Sequence, residues 1–172
     1  MHNNDTIAWN NKGIALGKLG RDQEALDVFN KALSINPNFA EAWNNMGNVL
    51  GKLGRDQEAL DAFNKALSIN PNFAEAWISK GIALGELGRY KDALDAFNKA
   101  LSINPNHALA WFNKGIAFEM LGRYQEALDA FNNALSINPN DTGAMVNKGF
   151  VLEKLGRHKE AHDSYAMGRR HS

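Results

Sequence analysis

The sequence contains no cysteine. That excludes disulfides, cysteine-based zinc sites and thiol chemistry. It also lacks any surplus of charge. Nineteen lysines and arginines are balanced by 19 aspartates and glutamates, for a formal net charge of zero. A protein built mainly to grip nucleic acid needs a basic footprint, so none is expected as a partner, although a local basic patch is not excluded. No apolar run approaches the roughly 18 residues that span a bilayer. The start, MHNNDTIAW, lacks a charged-then-apolar signal pattern. A soluble, cytoplasmic protein with no membrane partner is expected, and the start is equally compatible with a boundary inside a longer chain. Proline is scarce, and its scarcity is ordered. Pro37, Pro71, Pro105 and Pro139 stand 34 residues apart, as do the four tryptophans, Trp9, Trp43, Trp77 and Trp111. A period of this length marks an array of small stacked units.

Five units follow from that spacing: 6–39, 40–73, 74–107, 108–141 and 142–172, the last incomplete or capping. Together they form a single array over 1–172. Each carries two helical patterns separated by a glycine. In the second unit Trp43, Met46, Gly47, Leu50 and Leu53 lie three or four apart, which predicts a helix from about Glu41 to Leu53. Gly54 then stands at a left-handed position that glycine fills without strain, with Gly20, Gly88, Gly122 and Gly156 as its counterparts. Ala59, Leu60, Phe63, Ala66 and Leu67 predict a second helix from about Gln57 to Ile69, ended by Asn70-Pro71-Asn72. Asn72, with Glu75 three residues on, has the spacing of a capping box for the next helix.

Small residues sit on both apolar stripes: Gly47 and Ala59, with counterparts such as Gly13 and Ala25 or Gly149 and Ala161. They let two antiparallel helices approach closely. Trp43 and Phe63 supply the large burial, roughly 2–3 kcal/mol each if fully covered. One pair cannot bury its own face, so units must stack.

These residues carry a resemblance. Trp43, Gly47, Leu50, Gly54, Ala59, Phe63, Ala66 and Pro71, repeated as Trp77, Gly81, Leu84, Gly88, Ala93, Phe97, Ala100 and Pro105, resemble the tetratricopeptide repeat (TPR) pattern, in register over residues 6 to 172. The resemblance implies an all-α fold, a right-handed α-solenoid of antiparallel helix pairs. It also implies a non-enzymatic protein–protein interaction scaffold without cofactors or metals, whose partner is a protein or peptide. One departure is Lys12, Lys80, Lys114 and Lys148, where the family usually has leucine. A lysine stem can cover apolar surface while its head reaches water. In the fifth unit Met145 replaces tryptophan, and His162, Ser164 and Gly168 replace leucine, alanine and alanine. The fifth unit serves as its own cap, or the array continues in a longer protein, or another subunit covers the end.

TPR proteins use a concave surface lined mainly by first helices. Carried over by position, that groove holds an amide-rich N-terminal part, Asn10, Asn44 and Asn48. An apolar C-terminal part follows: Ile78, Ile82, Phe112, Ile116, Val146 and Phe150. A row of amides, Asn11, Asn45, Asn113 and Asn147, is broken only by Ser79. An amide both donates and accepts, so the row suits the backbone of an extended peptide; alternatively it bonds within or between units. The apolar residues offer a docking surface, or pack between neighbouring first helices. Gly17, Gly51 and Gly85 interrupt helices where the family often has a large residue. They open the groove floor, or are copies spread by duplication. The two-carboxylate clamp of chaperone-binding members needs lysine, asparagine and arginine. The corresponding positions here mostly hold Asn10, Ile14, Glu75 and Ser79, with only Asn45 matching, so no such ligand is expected.

Other chemistry is thin. His158 and His162 lie four apart in HKEAH, which is not HExxH because the acid is one place late. His2, His107 and His171 are isolated. Glu58 and Asp61 recur as surface charges. The glycines of GIALGKLG follow no strand and precede no GKS or GKT, so they are packing and turn residues. Arg21, Arg55, Arg89, Arg123 and Arg157 form an outer row, read as solvated or paired between units. A self-assembling solenoid, joined end to end or through its groove, and an RNA-binding helical repeat are the alternative functions.

Overall fold

Each helix pair closes on a glycine and an arginine. In the second repeat Gly54 has φ +69°. Its N–H donates to the Gly51 carbonyl at 2.9 Å, and the Arg55 N–H donates to the Leu50 carbonyl at 2.9 Å. This pair of bonds satisfies the carbonyls a helix end leaves open. The Arg55 carbonyl then accepts from Ala59 N at 2.9 Å and starts the next helix. Gly20, Gly88, Gly122 and Gly156 share the positive φ, as the pattern predicts.

The structure is a computed structural model that describes residues 2–170, with side chains from residue 4 onward. His171 and the side chain of His2 therefore lie outside the described residues. Ten helices occupy this span: α1 His2–Lys18, α2 Asp22–Ile35, α3 Ala40–Lys52, α4 Asp56–Ile69, α5 Ala74–Glu86, α6 Tyr90–Ile103, α7 Ala108–Met120, α8 Tyr124–Ile137, α9 Thr142–Lys154 and α10 His158–Arg170. There is no strand among the described residues. No described helix is long and apolar enough to cross a membrane.

The chain divides into two compact units, one ending at Leu87 and the other beginning at Gly88. In the first, α1 packs on α2, α2 on α3, α3 on α4 and α4 on α5, and the first helices touch one another, α1 to α3 and α3 to α5. In the second, α6 packs on α7, α7 on α8, α8 on α9 and α9 on α10, with α7 touching α9.

The close approach inside a pair depends on glycine facing an aromatic ring. A Cβ added at Gly47 would lie 2.5 Å from Phe63 Cε1, and one at Gly149 would lie 2.6 Å from Tyr165 Cε1. Phe63 is buried; Trp43 is only half-buried, so the two do not share the burial equally. Trp43 has a second task. Its indole N–H donates to the Pro37 carbonyl at 2.9 Å, and Trp77 and Trp111 do the same to Pro71 and Pro105. The matching 34-residue spacing of tryptophan and proline is thus a bond that ties the loops at Pro37, Pro71 and Pro105 to the helix after each.

The loop departs from expectation in one respect. Asn72 does not cap α5. The cap position is Phe73, whose side chain makes no capping bond. The Asn72 N–H instead donates to Asn70 Oδ1 at 3.1 Å. This side-chain turn carries the chain past proline, and α5 starts one residue too late for Asn72 to reach it. Only the fifth repeat, at Asp141, has a capping side chain among these loops: Asp141 Oδ1 accepts from Ala144 N at 2.9 Å.

Where tryptophan is replaced by Met145, the last pair is held differently. Buried Ser164 donates from Oγ to the Met145 carbonyl at 2.7 Å. His162, by contrast, is exposed.

Candidate functional site

In the first unit the first helices α1, α3 and α5 set out two columns one residue apart. The column Asn10, Asn44, Ile78 turns inward: these residues are 6%, 6% and 3% exposed. The expected groove residues Asn10, Asn44 and Ile78 are therefore packed inside, and the surface open to a ligand is narrower than the repeat pattern implies. The reason is the contact between successive first helices, which covers one column and leaves the next at the surface. Asn11 is exposed and Asn45 and Ser79 are half-buried. Asn45 Nδ2 donates to Asn10 Oδ1 at 3.1 Å, so that amide is engaged between repeats. Asn44 Oδ1 is buried without a hydrogen-bond partner among the described residues.

Beside these columns, between α3 and α5, lies a cavity of about 350 Å³. Asn48, Lys52 and Gly51 come from α3, Ser79, Ile82 and Glu86 from α5, and Asp56 from the start of α4. Gly51 widens it, since a Cβ there would meet nothing within 4 Å. Gly17 differs, for its Cβ would touch Val49 at 3.4 Å. Ile82 keeps 37% of its surface exposed.

The lining is charged at one end. Lys52 does not serve the cavity with its ammonium. Its Nζ donates to the Gly17 carbonyl at 2.9 Å and stands 3.9 Å from Asp22 Oδ1. It bridges the end of α1 to the start of α2. Like the Asn45–Asn10 bond, this contact joins residues 35 apart in successive repeats.

In the second unit the expected residues separate into two groups. Phe112 and Ile116 are half-buried against a core of Leu128, Phe131, Val151 and Leu152. The rings of Phe112 and Phe131 are tilted by 54° at 5.9 Å between centroids. Asn113 turns back on its own helix, donating from Nδ2 to the Leu109 carbonyl at 2.9 Å. Asn147 is half-buried, while Val146 and Phe150 are exposed at 48% and 36%. The Lys154 ammonium lies 5.0 Å from the Phe150 ring centroid.

Three of the four lysines that depart from the family pattern have an evident role. Lys12, Lys80 and Lys114 lie 5.3, 5.1 and 4.8 Å from the ring centroids of Trp9, Trp77 and Trp111, within cation–π range. Burial pulls the Lys114 ammonium below its ordinary pKa and pushes the Glu119 carboxyl above its own. The arginine row is paired, but along each helix rather than between repeats. Arg21, Arg55, Arg89, Arg123 and Arg157 contact Glu24, Glu58, Asp92, Glu126 and Glu160, each three residues on. His158 and His162 are exposed. No group of three metal-ligating side chains occurs among the described residues.

Family models described as tetratricopeptide repeat match residues 40–73, 78–142 and 118–170, and one described as TPR repeat matches residues 13–54. The chain belongs to the tetratricopeptide repeat family. No curated protein matches the sequence of this TPR chain. Solved structures resemble it over nearly its whole length. MamA of Desulfovibrio magneticus RS-1 is 24% identical, covers 96% of this chain and 94% of its own, and superposes with a TM-score of 0.87. The Pseudomonas aeruginosa pilF protein is 21% identical over 99% of this chain and 78% of its own, with a TM-score of 0.92. YrrB, described as a TPR protein with an unusual peptide-binding site, is 26% identical over 98% of this chain and 87% of its own, with a TM-score of 0.78. The fold is the all-α solenoid of TPR proteins.

Proposed function

We propose that this TPR chain is a non-enzymatic, cytoplasmic interaction module that holds an extended segment of a partner protein against its first helices. The observation that carries the reading is the cavity between α3 and α5. Asn48 and Ser79 lie at its edge beside exposed Ile82, with Gly51 leaving the floor open. A hydroxyl and an amide can each donate and accept, which suits a peptide backbone. An exposed isoleucine in a concave setting suits an apolar side chain. The exposed Val146 and Phe150 offer a second apolar face on α9. The resemblance to YrrB supports a peptide as the ligand class.

The test uses displayed random peptides panned on the intact chain and on an Ile82→Lys, Phe150→Lys double variant. Both residues are exposed, so the variant keeps its helical circular dichroism. Peptides captured by the native chain and lost from the variant are the expected outcome. Equal capture by both proteins, or none by the native chain, would sink the reading. Binding only to a second copy of the chain, seen as concentration-dependent mass, would favour self-assembly instead.

A further inference from the structure

The repeat period places Glu86 where the preceding repeat has Lys52 and the first repeat has Lys18. Lys52 shows what a cation does at this position. It reaches back one repeat, donates to the Gly17 carbonyl at 2.9 Å and approaches Asp22 at 3.9 Å. One repeat later the corresponding acceptors are the Gly51 carbonyl and Asp56, and both residues line the 350 Å³ cavity. The residue at the lysine position is now an acid, Glu86, which lines the same cavity. Among the described residues the only lysine or arginine lining that cavity is Lys52, whose ammonium is turned to Gly17 and Asp22. Two acids, Asp56 and Glu86, thus line one cavity with Gly51 at the end of α3 and an apolar wall of Ile82 and Ala83; the Gly51 carbonyl accepts from Gly54 N, and a carbonyl oxygen can accept a second bond. Helix C-termini favour cations, and two carboxylates in one site favour a positive charge between them.

We propose that this cavity takes a lysine or arginine side chain of the bound segment. The alkyl stem lies along Ile82 and the charged head takes the place that the Lys52 ammonium holds in the preceding repeat. The proposal rests on reading the first-helix face as a peptide site. It adds a charge requirement to a surface otherwise suited to apolar side chains, and it makes the partner segment basic at that point. A four-carbon stem with a strongly hydrated head matches a space apolar along its side and acidic at its end.

The probes are four synthetic peptides, Ac-Gly-Ser-Ala-X-Ala-Ser-Gly-NH2, with X as Lys, Arg, Leu or Glu. Binding is followed through the amide resonances of Asn48, Ser79 and Glu86 in the intact chain. The Lys and Arg peptides are expected to bind at least tenfold more tightly than the Leu peptide and to lose affinity as salt is raised, with the Glu peptide silent. Glu86→Gln should weaken the basic peptides, and Glu86→Lys should abolish their binding. Glu86→Lys should also raise the melting temperature, because the new lysine fills the place itself. If the Leu peptide binds as well as the Lys peptide, and Glu86→Lys changes neither, the cation site is overturned while peptide binding stands. If no peptide moves any of these resonances in the native chain, both readings fall.

Discussion

At the scale of single residues, the repeat uses glycine for two opposite purposes on one helix. Gly47 is pressed against Phe63, and a Cβ there would sit 2.5 Å from the ring. Gly51, one turn on, has open space around its missing side chain. Alanine at either position gains about 1 kcal/mol of helix propensity. At Gly47 this gain is outweighed by overpacking, which costs about 1–3 kcal/mol, because Phe63 is buried and has no free space to enter. Gly47→Ala should therefore lower the urea midpoint and Gly51→Ala should raise it. The same sign for both would mean that propensity, not contact, governs these sites. The fifth repeat supplies the converse case. Met145 replaces tryptophan beside a cavity of about 390 Å³ that Pro139 also lines. Met145→Trp should fill that space and let the indole donate to the Pro139 carbonyl, as Trp43 does to Pro37. A higher melting temperature is expected; a lower one would show that the Ser164 arrangement excludes the ring.

At the scale of elements, the sequence predicts α3 over Glu41–Leu53, and the helix runs over Ala40–Lys52. It predicts α4 from Gln57, and the helix begins at Asp56. Such agreement follows from local causes: an apolar stripe, a glycine with positive φ and a proline act within a few residues of themselves. Capping is equally local, yet Asn72 does not cap α5, because the side chain of Asn70 takes the Asn72 N–H and the loop is used up before α5 begins. A variant pair separates the two kinds of loop. Asp141→Ala should cost about 1 kcal/mol and speed hydrogen exchange at the Ala144 amide. Asn72→Ala should leave exchange at the start of α5 unchanged, and faster exchange there would restore the capping role. The candidate site was less legible than the helices. Asn10 and Asn11 look alike in sequence, but one is buried and the other exposed, because the contact between first helices sets the boundary. The same column that buries Ile78 leaves Val146 at the surface, so the period identifies equivalent positions without fixing their burial. The Lys52 bridge was hidden for a related reason, since its partners lie in the previous repeat.

At the scale of the whole molecule, zero net charge conceals a regular pattern of charge pairs with a common pH response. The Glu24, Glu58, Glu126 and Glu160 carboxyls are held below the ordinary range, chiefly by hydrogen bonds from Arg21, Arg55, Arg123 and Arg157. A carboxyl depressed in the folded state contributes stability above its unfolded pKa, about 4.3 for glutamate. That contribution is lost as the pH falls through the folded value. Each pair is exposed and screened, so one pair alone counts for little. The sign is the same in all four, however, and their losses fall in one pH window. Glu119 acts in the opposite direction: burial pushes its carboxyl up, so acidification relieves it. Four carboxyls held down against one pushed up predict a melting temperature that declines below about pH 4 in low salt. The decline should be shallower in 0.5 M sodium chloride, since salt at such concentrations screens charges beyond a few ångströms. Replacing Arg55 and Arg123 by glutamine removes two donors and should flatten the acid decline while changing the melting temperature near pH 7 only slightly. An acid slope unchanged in that variant would assign the decline to carboxylates outside the arginine row.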